Sequence, residues 1–186
     1  VDGTSPFRDA VRDSWVPGGA PLPADRLTGP EAADQPPGFV AVLGDLAAVP
    51  VERRRRLLDE AIRRQPRRLG LLMSMWRTYP PARWGDGLRW LQAAVALAPS
   101  NPDVRSALGA ALGQTGDRDG ALATCREAVR LGPAYAPAHN NLGNARLNSG
   151  DVDGAVAAYR EAIRLNPTYP LAHFNLGAVL HQRGNR

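Results

Sequence analysis

Asparagine supplies the most regular chemistry in this chain. Asn141 and Asn175 stand one 34-residue interval apart. A side-chain amide both donates and accepts, so a repeated amide can pair with peptide backbone whatever side chains lie beside it. The same residues would serve equally well for hydrogen bonding inside a repeat. Arginine supplies the densest charge: residues 51–68 hold eight arginines against Glu52, Asp59 and Glu60, whereas residues 1–50 carry three arginines against seven acids. Such a face could meet nucleic acid or an acidic partner. No aromatic residues interleave with the arginines, so a solvated helix face, neutralised by the acidic N-terminal segment, is the favoured reading. Two histidines, His139 and His173, raise the question of a metal. They occupy equivalent places in adjacent units, about 10 Å apart by helix packing distances, which is too far for one ion; packing roles are expected, and no metal or cofactor. Cys125 lies on an apolar stripe and reads as a buried, inert thiol. Trp76, Trp84 and Trp90 read as core and loop packing. No nucleophile and base stand in a pattern that points to catalysis, so no catalytic residue is expected.

The elements that must position these residues are bounded by composition. The chain has 186 residues and a formal charge of +5, and all its Lys+Arg content is arginine. An Ala-, Arg-, Gly- and Pro-heavy sequence without lysine points to a GC-rich bacterial genome. One cysteine excludes an internal disulfide framework and a multi-cysteine zinc site. No apolar run approaches the roughly 18 residues that span a bilayer. The opening VDGTSPFRDAV has no basic stretch followed by an apolar one, so a cytoplasmic location is the default expectation.

From Pro102 onward the sequence aligns with itself at an offset of 34 residues. Leu108-Gly109, Leu142-Gly143 and Leu176-Gly177 recur at that interval, as do Gly116, Gly150 and Gly184, Ala121 and Ala155, Ala128 and Ala162, and Pro133 and Pro167. Each recurrence has a physical reading. NNLGNARLNSGD carries apolar residues near helical spacing, with Gly143 leaving room for a neighbouring helix. Gly150-Asp151 supplies a turn and a cap for the next helix. In GAVAAYREAIRL, Ala155, Tyr159, Ala162 and Ile163 form a stripe at i, i+4, i+7 and i+8, and Pro167 stops the helix.

This pattern resembles the tetratricopeptide repeat (TPR) family, whose signature has Leu-Gly in a first helix, Ala-x3-aromatic in a second and a terminating proline. Leu142-Gly143, Ala155-x3-Tyr159 and Pro167 match in full; the preceding unit matches except that Cys125 stands in the aromatic position. The large residue expected early in each first helix is replaced by Arg105, His139 and His173. The resemblance implies an all-α, right-handed superhelical solenoid of antiparallel helix pairs. It also implies a concave groove, lined by first helices, for an extended protein or peptide segment. Carried onto this chain, the family's groove positions are Asn140, Asn141, Asn144 and Asn148 in one repeat and Phe174, Asn175, Ala178, His181 and Gln182 in the next. Ser106, Ala107, Ala110 and Gln114 are their counterparts in the repeat before. None of these is Lys or Arg, so a clamp for a terminal carboxylate is not expected.

The expected organisation is a Pro/Gly-rich acidic linker over 1–37, partly disordered, two degenerate helix pairs over 38–101, TPR units at 102–135 and 136–169, and a truncated unit at 170–186. The degenerate pairs are 38–68, where Leu43-Gly44, Ala61 and Pro66 echo the motif with a turn two residues short, and 69–101. Within the linker, PFRDAVRDSW reads as a short helix with Phe7, Val11 and Trp15 on one face. PLAHFNLGAVLHQRGNR is a first helix and turn with no second helix after it, which suggests a fragment of a longer protein. FRDAVRD, the acidic stretch and RRRRLLDEAIRRQP together resemble TPR regions of bacterial proteins with an upstream Ser/Thr kinase domain. NNLGNARLNSGDVDGAVAAYREAIRLNP looks like repeats of protein O-GlcNAc transferases. No kinase motif and no glycosyltransferase site is present in the chain. The expected function is a protein-interaction scaffold, with a substrate-recruiting region of a larger enzyme as the alternative. Nucleic acid and membrane are not expected partners, and the sequence leaves the oligomeric state open.

Overall fold

The computed structural model describes residues 6–14, 27, 29–45 and 49–184, which are all-helical with no strand among them. The chain divides into two compact units, Val1–Tyr79 and Pro80–Arg186.

The first unit contains α1 (Pro6–Ser14), the single turn α2 (Pro30–Ala33), α3 (Pro37–Asp45), α4 (Val51–Arg64) and α5 (Leu69–Arg77). Helix α1 buries Phe7 and Val11, and Phe7 meets Phe39 edge-on at 6.3 Å between ring centroids. Trp15, the third residue of that expected stripe, lies outside the described residues, as does the Pro/Gly-rich run 15–26. Helices α3, α4 and α5 pack on one another around Val40, Leu43, Leu57, Leu58, Leu71 and Leu72. Close packing of α3 on α4 depends on Gly44, where a Cβ would come within 2.6 Å of Leu58 Cδ2.

The arginine cluster is absorbed into this unit. Arg55 donates from Nε to Thr78 Oγ1 and from Nη2 to Thr78 O, both at 3.0 Å, with its guanidinium 4.1 Å over the Tyr79 ring. Arg63 pairs with Asp59, and Arg64 pairs with Glu60 and with Asp34 of the acidic N-terminal segment. Exposed pairs of this kind add little stability. What they change is the field, which is reduced around Arg63 and Arg64 while α4 keeps an excess of arginine over acid.

The second unit contains a 3-10 turn at Pro81–Arg83 and then α6 (Trp84–Leu97), α7 (Pro102–Gln114), α8 (Arg118–Leu131), α9 (Ala136–Asn148), α10 (Val152–Leu165) and α11 (Pro170–Gly184). The pair expected over 69–101 therefore straddles the boundary between the units, with α5 before it and α6 after it. Helix α6 packs on α7, α7 on α8 and α9, α9 on α10, and α10 on α11.

Local chemistry accounts for these boundaries. Asn101 Oδ1 accepts from the backbone N–H groups of Asp103 and Val104, and Pro102 occupies the first turn, where its missing N–H costs nothing. The turns into α8 and α10 each need a glycine with positive φ, Gly116 at +91° and Gly150 at +83°. Asp117 and Asp151 then cap the second helices by accepting from Gly120 N and Gly154 N at 2.9 and 2.8 Å. The stripe Ala155, Tyr159 and Ala162 is fully buried, and so is its counterpart Ala121, Cys125 and Ala128.

Candidate functional site: an amide-lined groove on the first helices

The first helices α7, α9 and α11 lie in succession along the second unit, and their positioning begins at a glycine notch. A Cβ at Gly109 would sit 2.5 Å from Cys125 Sγ, and one at Gly143 would sit 2.4 Å from Tyr159 Cε1. Only glycine lets each second helix seat its Cys or Tyr against the first. The position early in each first helix, where Arg105, His139 and His173 replace a larger apolar residue, has a shared purpose. Arg105 donates from Nε and Nη2 to Pro99 O, and His139 and His173 bring Nε2 to 2.8 Å from Pro133 O and Pro167 O. Each side chain reaches back six residues and ties its first helix to the carbonyl of the proline that ended the previous pair. Among the described residues no group of His, Cys, Asp and Glu gathers as a metal site requires.

With the helices so placed, a groove with a cavity volume of about 240 Å³ opens over them. It is lined by Asn140, Asn141, Asn144, Asn148 and Asn175, by Ala110, Gly113 and Gln114 of α7, by Leu171 of α11 and by Trp84 of α6. None of its lining side chains is titratable. Five of the nine groove residues expected in the last two repeats are thus brought together, with Ala110 and Gln114 from the repeat before; Ala178 is not among them. Phe174, His181 and Gln182 do not line it: Phe174 is 73% exposed, and Gln182 lines a separate cleft with Leu147, Val152, Val179 and Arg183. Two large side chains in the lining were not expected. Trp84 reads as packing in the sequence, yet it faces this groove. Leu171, 57% exposed, carries no motif, although its place four residues before Asn175 on α11 was a signal that it shares the face.

The amides are not equivalent. Asn141 Nδ2 donates to Ser106 Oγ at 2.9 Å and to Ser106 O at 3.3 Å, fastening α9 to α7. Asn175 Nδ2 donates to Asn140 Oδ1 at 3.0 Å and to Asn144 Oδ1 at 3.2 Å, fastening α11 to α9. Asn140, only 2% exposed, completes the run by donating weakly to Asn141 Oδ1. Tyr159 OH donates to Asn144 Oδ1 at 2.7 Å, so the second-helix aromatic reaches through the Gly143 notch to the groove floor. Burial pushes the Tyr159 hydroxyl up to about 12, which keeps this donor protonated. The ladder donors are thus turned inward, whereas the side-chain amides of Gln114 and Asn148 have no hydrogen-bond partner among the described residues and lie exposed at the rim.

Two family models match the second unit, one described as TPR repeat over residues 143–184 and one as Tetratricopeptide repeat over residues 82–136. No curated protein sequence matches the chain. Among solved structures, a crystal structure of MamA is similar at 22% identity, covering 72% of this chain and 79% of that one with a TM-score of 0.61. MamA from Desulfovibrio magneticus RS-1, spanning residue 41 to its end, is similar at 23% identity, covering 72% and 76% with a TM-score of 0.59. At these identities the likeness is one of fold. No helix among the described residues is long and apolar enough to cross a membrane.

Proposed function

The chain belongs to the tetratricopeptide repeat family, and from that premise we propose that its second unit is a protein-interaction scaffold whose groove takes an extended segment of a partner protein. One observation carries the reading: an open, uncharged groove joins three successive first helices and combines free amides with apolar surface at Trp84 and Leu171. Amides supply backbone pairing without demanding a particular side chain, and Trp84 and Leu171 supply desolvated area, the usual division between orienting polar groups and apolar affinity in a binding cleft. With no cationic side chain in the lining, the groove lacks the charge-assisted partner that a terminal carboxylate or a phosphate would take.

The test is a random dodecapeptide display selection on the full 186-residue chain, followed by binding of enriched peptides to variants. Ala110→Arg and Leu171→Arg fill the groove from opposite sides without touching the glycine notches. The expected result is enriched peptides whose binding falls at least tenfold in both variants, with helicity and melting temperature unchanged. Peptides that bind both variants as they bind the parent would place the interaction elsewhere and end this reading.

A further inference from the structure

We propose that Tyr159 is a positioning residue for partner binding. Its hydroxyl fixes the Asn144 amide so that Nδ2 opens on the groove and takes a main-chain carbonyl of the bound segment. This rests on the groove reading above and adds to it the atom that reads the segment and the side chain that aims that atom.

The oxygen and nitrogen of a side-chain amide are told apart by their partners, and here one fixed point orients the whole ladder. Ser106 O is a backbone carbonyl and can only accept, so the Asn141 atom 3.3 Å from it is the nitrogen. Asn141 Oδ1 therefore faces Asn140, which turns its own nitrogen there at 3.4 Å. That directs Asn140 Oδ1 to α11, where Asn175 Nδ2 donates to it at 3.0 Å. The same Asn175 nitrogen lies 3.2 Å from Asn144, so the atom it meets is the Asn144 oxygen. The Tyr159 hydroxyl donates to that oxygen at 2.7 Å. Both lone pairs of Asn144 Oδ1 are then occupied.

A planar amide held at its oxygen has its nitrogen fixed as well. Asn144 Nδ2 has no partner among the described residues, in contrast to the nitrogens of Asn140, Asn141 and Asn175. Nor is it sealed from solvent, and Asn144 lines the groove, so its two N–H groups open there. An amide nitrogen only donates, and an extended segment offers it a carbonyl at every residue. Gln114 and Asn148 also line the groove, but no hydrogen bond holds their amides, and each loses rotamer freedom when it engages a partner. The Asn144 donor is ordered in advance by the fold. In the preceding repeat the two positions are Cys125 and Ala110, and neither half of the arrangement exists.

The experiment uses the full chain and the most enriched dodecapeptide of the display selection, fluorescently labelled, in anisotropy titrations at a temperature where every variant is folded. Asn144→Asp keeps an oxygen for Tyr159 and Asn175 and replaces the free nitrogen by a second oxygen; it is expected to weaken binding at least tenfold. Tyr159→Phe keeps the ring in the Gly143 notch and removes only the hydroxyl; it is expected to weaken binding about fivefold, the scale of one hydrogen bond. The double variant should bind no more weakly than Asn144→Asp alone, a coupling that a merely structural tyrosine would not show. Nitrogen-15 relaxation of the Asn144 side-chain amide needs no peptide: it is expected to be ordered in the parent and mobile in Tyr159→Phe. Parent-like binding by either single variant, additive losses in the double variant, or an Asn144 amide equally ordered with and without the hydroxyl overturns this inference. The groove reading survives each of these as long as Ala110→Arg and Leu171→Arg still abolish binding. If no peptide is enriched, both readings fall together.

Discussion

The two complete repeats solve one packing problem with different chemistry. In 102–135 the Gly109 notch receives the small, soft sulfur of Cys125, and the groove residue above it is Ala110. In 136–169 the Gly143 notch receives the ring of Tyr159, and the corresponding groove residue is Asn144, whose oxygen accepts a hydrogen bond from the Tyr159 hydroxyl at 2.7 Å. The larger side chain brings a polar tip that must be satisfied, and the asparagine satisfies it. Core and groove are thus coupled in the second repeat and independent in the first. Helix α11 extends the comparison, because Gly177 repeats the glycine of both notches and has nothing within 4 Å of where its Cβ would be. The same glycine is obligatory twice and unconstrained once.

Truncating the two notch residues tests that contrast most severely. Tyr159→Ala is expected to cost about 4 kcal/mol, because it empties a large buried site and frees Asn144 Oδ1 of one partner. Cys125→Ala removes a single sulfur and is expected to cost about 1 kcal/mol. Urea midpoints of the two variants measure the gap, and similar losses would mean that the repeats do not differ in this way. A smaller effect is expected from filling the notches. Gly143→Leu should cost about 3 kcal/mol, since α10 must shift to clear the Tyr159 ring. Gly177→Leu should cost nothing and gain up to about 1 kcal/mol of helix propensity. A loss at Gly177 equal to that at Gly143 would show that α11 is covered in solution.

A further effect concerns pH. Burial pushes the Cys125 thiol from an ordinary 9.0 to about 12. Its folded value lies above its unfolded one, so its contribution is fully present below pH 9 and is lost as pH rises toward 12. Comparing the alkaline stability of the parent with Cys125→Ala isolates that contribution: the variant should lose less over this interval. Identical slopes would show that the thiol is not buried as described.

Much of this architecture is legible in the residues. The recurrence of Leu-Gly marks the notches, Gly116-Asp117 and Gly150-Asp151 mark the turns and caps, and Pro133 and Pro167 mark the stops, because each acts on backbone within a few residues of itself. Arg105, His139 and His173 stand where a large residue is expected, and the sequence suggests packing roles for the two histidines. All three are donors to a carbonyl six residues back, a regularity visible in the spacing to Pro99, Pro133 and Pro167 once donor chemistry is considered. Of the groove, Asn140, Asn141, Asn144, Asn148 and Asn175 could be placed from the resemblance to the family's groove positions, and only the pairing of Asn141 with Asn175 from the repeat alone. Phe174, His181 and Gln182 could be placed only approximately, since a helix of 3.6 residues per turn spreads a family position over more than one face. Trp84 could not be placed at all, because it enters the groove from α6, whose helix pair has lost the strict motif.

The asparagines mark the limit between the two kinds of knowledge. Their period, their amide chemistry and their common face follow from the chain read end to end. Which of their atoms remain available to a partner does not, because Asn141 and Asn175 meet their acceptors 31 to 35 residues away, across the packing of one first helix on the last. Helix propensity, caps and turns are settled by neighbours in sequence. The allocation of hydrogen bonds is settled by the distance between packed helices, and it is this that spends Asn141 and Asn175 on the fold and leaves Gln114 and Asn148 at the groove's edge.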